Sequence, residues 1–136
     1  MVFSETKIRV RYADTDQMKI VYYAKFLEYF EQGRSDLLRQ IGMPYPEIEK
    51  MGYMLPVVEA HAEYINSARY DEELTVRTII EEIPQVRVRI QYLVYRDKPE
   101  HVLVKGYTIH SFVNAAKMAP ARAPAAFTEM LAVQMK

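Results

Sequence analysis

The sequence predicts an α+β domain in which one long helix lies against a five-stranded antiparallel sheet, and three observations lead there. An alternating segment comes first, an amphipathic stretch follows, and four segments rich in β-branched and aromatic residues close the chain. In residues 6–12, Ile8, Val10 and Tyr12 alternate with Lys7, Arg9 and Arg11, the period of a strand with one buried face. A polar stretch, residues 13–19, leads into Tyr23, Phe26, Leu27, Phe30, Leu37, Leu38 and Ile41, which recur at three- and four-residue steps. That stripe predicts a helix of roughly twenty residues, about 30 Å long. It ends near Ile41, because Gly42 suits a left-handed cap and Pro44 and Pro46 cannot continue a helix.

Residues 55–64, 74–82, 86–95 and 102–113 supply four more strands. The break at Pro84-Gln85 and the turn at residues 96–100 are short enough for hairpins, so those strands are antiparallel neighbours. One sheet around one helix buries the helical stripe and one face of each strand, as two-layer packing requires.

Composition narrows the function classes. The 136 residues, 50% hydrophobic and 26% charged, read as one soluble globular domain spanning 1–136. Eighteen basic residues balance eighteen acidic ones, so no net positive field holds nucleic acid or an anionic membrane. With no cysteine there is no disulfide, thiolate metal site or cysteine nucleophile. The first residues lack an apolar core of signal-peptide length, and no stretch reaches the roughly 18 apolar residues of a membrane span. The expectation is a cytoplasmic protein. Eleven tyrosines, five phenylalanines and eight methionines fit either a dimer interface or a Met-rich core.

Tyr12-Ala-Asp-Thr-Asp16, Ile20-Val-Tyr-Tyr23 and Tyr29-Phe-Glu-Gln-Gly-Arg34, in that order, resemble the hot-dog thioesterases of the 4-hydroxybenzoyl-CoA thioesterase type. The likeness continues through Ala62-Glu-Tyr64, Ala68-Arg-Tyr-Asp71, Leu74 and Lys117-Met-Ala-Pro-Ala-Arg122-Ala-Pro124. Within the group the chain is most similar to the bacterial acyl-CoA branch that includes the Tol-Pal-associated thioesterase. The resemblance implies a hot-dog fold, a homodimer with sites at the subunit interface, a tetramer of two dimers, and an acyl-CoA substrate. It implies no metal and no cofactor beyond the coenzyme A of that substrate.

The resemblance also assigns residues. Thioester hydrolysis needs a polarised carbonyl and either a carboxylate nucleophile or a base that activates water. Asp16 matches the nucleophile or base, and the backbone N–H at or next to Tyr23 matches the oxyanion donor. From spacing alone Asp16 is equally a helix-entry cap or turn residue. Lys19, Val21 and Tyr22 stand as substrate-binding positions around it. Arg122 matches the position that reaches the nucleotide, with Arg87 as a second phosphate contact and Arg89 and Lys117 as neighbours.

Two departures stand out. Lys19 occupies the usual place of a glycine, so the loop there either keeps the glycine's path or shifts, and Tyr23 stands where some relatives carry His. Asp14 is assigned to fixing the loop, and Glu31, Arg34 and Asp36 to structural contacts. His61, His101 and His110 fall on three separate strands without metal-ligand spacing. A hydratase of the same fold pairs a His with an acid, and no His precedes His61. The alternatives of another class are a non-catalytic acyl-CoA binding or sensing module and a scaffolding dimer.

Overall fold

A computed structural model describes residues 1–135. Strand β1 (Val2–Arg9) is followed by a single 3-10 turn (Tyr12–Asp14), helix α1 (Lys25–Gln40) and a short helix α2 (Tyr45–Lys50). Then come β2 (Tyr53–Met54), β3 (Val57–Tyr64), β4 (Glu73–Ile80), β5 (Arg87–Tyr95) and β6 (Val102–Ser111). The end carries β7 (Val113–Asn114), β8 (Ala119–Pro120) and helix α3 (Ala125–Gln134). The main sheet has the order β1–β4–β5–β6–β3, antiparallel throughout, and β2, β7 and β8 form a small second sheet.

Strand β1 begins earlier and ends sooner than the apolar alternation indicates. Its inward positions are Val2, Ser4, Thr6 and Ile8, so two small polar residues hide half of the pattern. Thr6 is tolerated there because its hydroxyl donates to Asp36 Oδ2 on α1 at 2.7 Å. Tyr12 lies beyond the strand, in the 3-10 turn.

Helix α1 has 16 residues, a rod of roughly 24 Å, and starts at Lys25 rather than Tyr23. Its buried stripe is Phe26, Tyr29, Phe30, Gly33, Leu37 and Leu38, while Tyr23 and Leu27 are 60% and 41% exposed and lie outside it. Gly33 is where α1 rests on β4: a Cβ there would collide with Thr78 Oγ1 and crowd Val76. The Phe30 ring stacks on Tyr92 of β5 with centroids 4.2 Å apart. Gly42, at φ 85°, closes the helix as its sequence requires. The prolines that stop α1 also start α2, with Pro44 as its N-cap and Pro46 in its first turn.

The hairpins β4–β5 and β5–β6 are those the turn signals predict. Strand β3 joins β6 at the far edge and leaves its other side free. All of β3 except Ala62 is exposed, including Val57, Val58 and Tyr64 at 46%, 47% and 48%. His101 lies in the turn before β6 rather than on a strand. Helix α3 and the small sheet escape the sequence reading. Phe127 and Leu131 pin α3 to the core, with the Phe127 ring 5.1 Å from that of Phe112. Among the described residues no helix is long and apolar enough to cross a membrane.

A polar chain crosses the core. Tyr92 Oη lies 2.7 Å from Thr108 Oγ1, Thr108 Oγ1 2.8 Å from His110 Nε2, and His110 Nδ1 3.1 Å from the Leu55 carbonyl oxygen. The carbonyl only accepts, so Nδ1 carries the imidazole proton and Nε2 accepts from Thr108. Burial pushes His110 down to about 4, against a partly restoring bond to Leu55 and a further lowering by Arg34. His110 is therefore neutral in the folded protein, while the unfolded chain protonates near 6.5. Its contribution to stability is complete above pH 6.5 and is lost as pH falls through about 4. Urea unfolding at pH 7 and pH 4 is expected to show a loss of roughly 3 kcal/mol from this group. His110→Gln is expected to have a correspondingly shallower acid dependence.

Candidate active site

The site grows from the turn after β1. Asp14 is 3% exposed and points its carboxylate inward. It accepts from the Arg11 N–H at 3.1 Å and the Tyr29 hydroxyl at 2.8 Å, with the Arg11 guanidinium at 3.5 Å and the Lys25 ammonium at 4.0 Å. Burial pushes this carboxyl upward, but the donors and cations outweigh it and hold Asp14 below its ordinary value. Burial and the Asp14 charge raise the Tyr29 phenol in turn. Because Tyr29 belongs to α1, this bond locks the turn to the helix. The Asp14 carbonyl also accepts the Tyr22 N–H at 2.9 Å, fixing the approach to α1.

Between these anchors the chain makes a tight hairpin. Asp16 N–H donates to Ile20 O at 3.0 Å, Lys19 N–H donates to Asp16 O at 2.9 Å, and Thr15 pairs with Val21. A residue in the left-handed region completes such a turn, and Lys19 supplies it at φ 65°. Lys19 thus keeps a backbone path that glycine adopts without strain. The half-buried Asp16 carboxylate accepts the Met18 N–H through Oδ1 at 2.8 Å.

The hairpin leads into the helix. N–H groups of Lys25, Phe26 and Leu27 bond back to the carbonyls of Tyr22, Tyr23 and Ala24 at 2.9, 3.3 and 3.1 Å. Among the described residues the N–H groups of Tyr23 and Ala24 have no acceptor. Two open donors at the positive end of α1 can receive a carbonyl oxygen that gains charge. The Tyr22 and Tyr23 rings lie 4.6 Å apart, and the Tyr64 hydroxyl at the end of β3 donates to Tyr23 O at 3.0 Å. The Tyr22 phenol is raised first by its Tyr23 neighbour and also by the Asp16 charge, which therefore reaches it.

Residues 10–131 match the family described as the thioesterase-like superfamily. The chain belongs to this superfamily. It is 34% identical over 129 residues to the putative acyl-CoA thioesterase YneP of Bacillus subtilis, covering 95% of this chain and 93% of that protein. It is 28% identical over 118 residues to the acyl-CoA thioesterase YbgC of Haemophilus influenzae, covering 86% and 85%. The DHNA-CoA thioesterase of Staphylococcus aureus superposes with a TM-score of 0.89 at 28% identity, over 98% of this chain and 91% of that one. The helix-and-sheet architecture is accordingly the hot-dog fold.

The residues singled out in this thioesterase-like chain fall into two groups. Asp16, Lys19, Tyr22 and Tyr23 share the hairpin and helix start, whereas Val21 turns into the core at 4% exposure and gives its N–H to Ala68 O. Arg87 begins β5 opposite Ser111, and the neighbours of Arg122 bond to Phe112 and Gln85 beside it. Arg89 holds its guanidinium 4.4 Å over the Tyr107 ring on the outer sheet face. Tyr64 pairs with Val104, seven residues along β6 from Ser111. At about 3.3 Å per residue the two groups stand roughly 23 Å apart within one protomer. Lys117 lies in the exposed turn before β8, where its N–H meets Asn114 Oδ1.

Sequence reasoning missed the Tyr29–Asp14 bond and the role of Ala68, whose carbonyl anchors the hairpin. The loop-fixing role assigned to Asp14 pointed toward the first without naming Tyr29, and only three-dimensional contact reveals the second. The two aspartates are expected to separate cleanly. Asp14→Asn is expected to destabilise the fold by about 2 kcal/mol, because a buried acceptor of charged and hydroxyl donors is lost. Asp16→Asn is expected to stay within about 0.5 kcal/mol of the parent. Thermal unfolding of both variants checks the contrast.

Proposed function

We propose that the chain hydrolyses an acyl-CoA thioester to a carboxylic acid and free coenzyme A, with Asp16 as nucleophile or general base. The observation that carries the reading is the pair of open N–H donors at Tyr23 and Ala24, directly after the Asp16 hairpin, in a member of the thioesterase-like superfamily. As nucleophile, Asp16 attacks the thioester carbon, coenzyme A leaves as thiolate, and water opens the resulting anhydride. As base, Asp16 takes a proton from the attacking water. In both routes the carbonyl oxygen gains negative charge and the two N–H groups receive it, each such donor being worth about 10²- to 10³-fold in rate. The names of the relatives YneP and YbgC support this substrate class. The left-handed Lys19 supports catalysis over mere binding, since the loop need not shift to accommodate it.

The same proposal includes a homodimer built along the free edge of β3. That edge presents unpaired backbone groups beside exposed Val57, Val58 and Tyr64, the kind of surface a second copy covers. Antiparallel pairing of β3 with its symmetry mate sets the Val57 end of one protomer against the Tyr64 end of the other. Arg87 and Arg122 of the partner subunit then lie on the side of the first protomer's Asp16, available for coenzyme A phosphates. Two dimers would make the tetramer, the setting is the cytoplasm, and the chemistry draws on no metal or resident cofactor.

Release of free thiol from a panel of short, medium, long and aromatic acyl-CoAs tests the reaction. Asp16→Asn is expected to lower it at least about a hundredfold while remaining folded. Failure of the parent protein to cleave any thioester would overturn the reading. Ala60→Lys, which puts a charge on the β3 edge, is expected to sediment as a monomer and lose most activity. A monomeric variant with full activity would contradict the shared site.

A further inference from the structure

A cavity of about 260 Å³ opens between α1, the start of α2 and the inner face of the sheet. Leu38, Leu55 and Ile90 form its apolar part, and Glu31, Arg34, Ser35, Tyr45 and His110 bring polar groups to it. The Arg34 side chain is 18% exposed, yet it is poorly engaged. Its guanidinium reaches Tyr92 Oη at 3.5 Å and the Glu31 carboxylate only at 3.8 Å, and Glu31 is 71% exposed to water. A guanidinium has five N–H donors, so most of its capacity is unspent.

The polar chain of the core shows which groups remain available. Arg34 donates to Tyr92, Tyr92 to Thr108, Thr108 to His110 Nε2, and His110 Nδ1 to Leu55 O. The direction is fixed, because a guanidinium only donates and a carbonyl only accepts. Tyr92, Thr108 and His110 therefore commit their protons to the interior. What faces the cavity is the remainder of Arg34, with the hydroxyls of Ser35 and Tyr45 beside it, and Tyr45 already accepts the Leu55 N–H at 3.4 Å. All three groups can donate, and the one carboxylate in the lining, Glu31, lies 3.8 Å from Arg34 and turns mostly to water, so most of the guanidinium's donors stay open to a ligand.

We infer that this cavity takes the acyl group, and that Arg34 selects acyl groups whose far end carries an oxygen acceptor, above all a carboxylate. The inference rests on the thioesterase reading and names its substrate class. A cavity of about 260 Å³ has room for a compact or medium acyl group. Leu55 lies at the Val57 end of β3, so across a β3-paired dimer the cavity serves Asp16 of the partner subunit.

Octanoyl-CoA and adipoyl-CoA test this, because the two acyl groups are of similar size and only the second ends in a carboxylate; 6-hydroxyhexanoyl-CoA adds a neutral acceptor. The parent protein is expected to favour adipoyl over octanoyl by about tenfold or more in kcat/KM, with the hydroxy compound between them. Arg34→Met is expected to lose about ten- to a hundredfold more on adipoyl than on octanoyl, and Arg34→Lys to recover part of the difference. Equal or better cleavage of octanoyl by the parent, or an equal fall on all three in Arg34→Met, would overturn the role of Arg34 while leaving the thioesterase reading intact. If no thioester is cleaved, that reading fails instead. Protection against thermal unfolding by the same three compounds then decides whether the cavity prefers the carboxylate, without turnover. Mixing Asp16→Asn with Arg34→Met chains is expected to restore adipoyl cleavage in mixed dimers, and absence of recovery would overturn the sharing of the cavity across the dimer.

Discussion

The buried carboxylate of Asp14 is the constraint on which the rest of the site depends. It ties the end of β1 to α1 through the Tyr29 hydroxyl, holds the Arg11 N–H, and through its own carbonyl captures the Tyr22 N–H. Those three bonds leave the hairpin between Thr15 and Val21 a single compact path, and Lys19 accepts a left-handed conformation to complete it. A non-glycine residue held there costs about 1 kcal/mol, which the surrounding bonds must offset. Rigidity near Asp14 is thus what gives Asp16 and the open N–H groups at the head of α1 a fixed relation. Both aspartates sit in one short motif, and burial with its donors sets Asp14 to hold the turn, leaving Asp16 for the proposed chemistry.

The second constraint is topological. Crossovers place β3 at one edge of the sheet, beside β6, with its outer side unpaired. Asp16 and Tyr23 sit at the Tyr64 end of that strand, while Arg87, Arg122 and the cavity by Leu55 sit at the Val57 end. No motion within one protomer closes a gap of about seven strand residues. The two-fold axis of the proposed dimer would close it without any motion, since an antiparallel self-pairing of β3 sets unlike ends together. In the proposed dimer the exposed aliphatic and aromatic residues of β3 would hold copies together as well as complete a site.

Much of this was legible in the sequence. Helix α1, its glycine stop and the β4–β5–β6 hairpins follow from periodicity and turn chemistry, because each is a local preference. Strand β1 was read as starting late because Ser4 and Thr6 occupy core positions: Thr6 is satisfied by Asp36 through a contact that no local pattern displays, and the Ser4 hydroxyl has no partner among the described residues. Prolines 44 and 46 read as a stop, yet they also open α2, since a proline is as welcome in a first helical turn as it is unwelcome in a middle one. Helix α3 carries apolar residues around its circumference, so no stripe announced it. The N–H donors of Tyr23 and Ala24 belong to the backbone, and side-chain identity says nothing of them beyond where the helix begins. Arg34 read as a structural residue, suited to a local ion pair or a contact across the sheet, because its spacing is visible in the sequence and the cavity beneath it is not.

In the proposed reaction a thioester carbonyl lies between Asp16 and the head of α1. A crystal structure of Asp16→Asn with a bound acyl-CoA tests it most directly. The carbonyl oxygen is expected within about 3 Å of the Tyr23 or Ala24 N–H, with residue 16 beside the carbonyl carbon. A carbonyl held elsewhere, with those N–H groups still open, would contradict it.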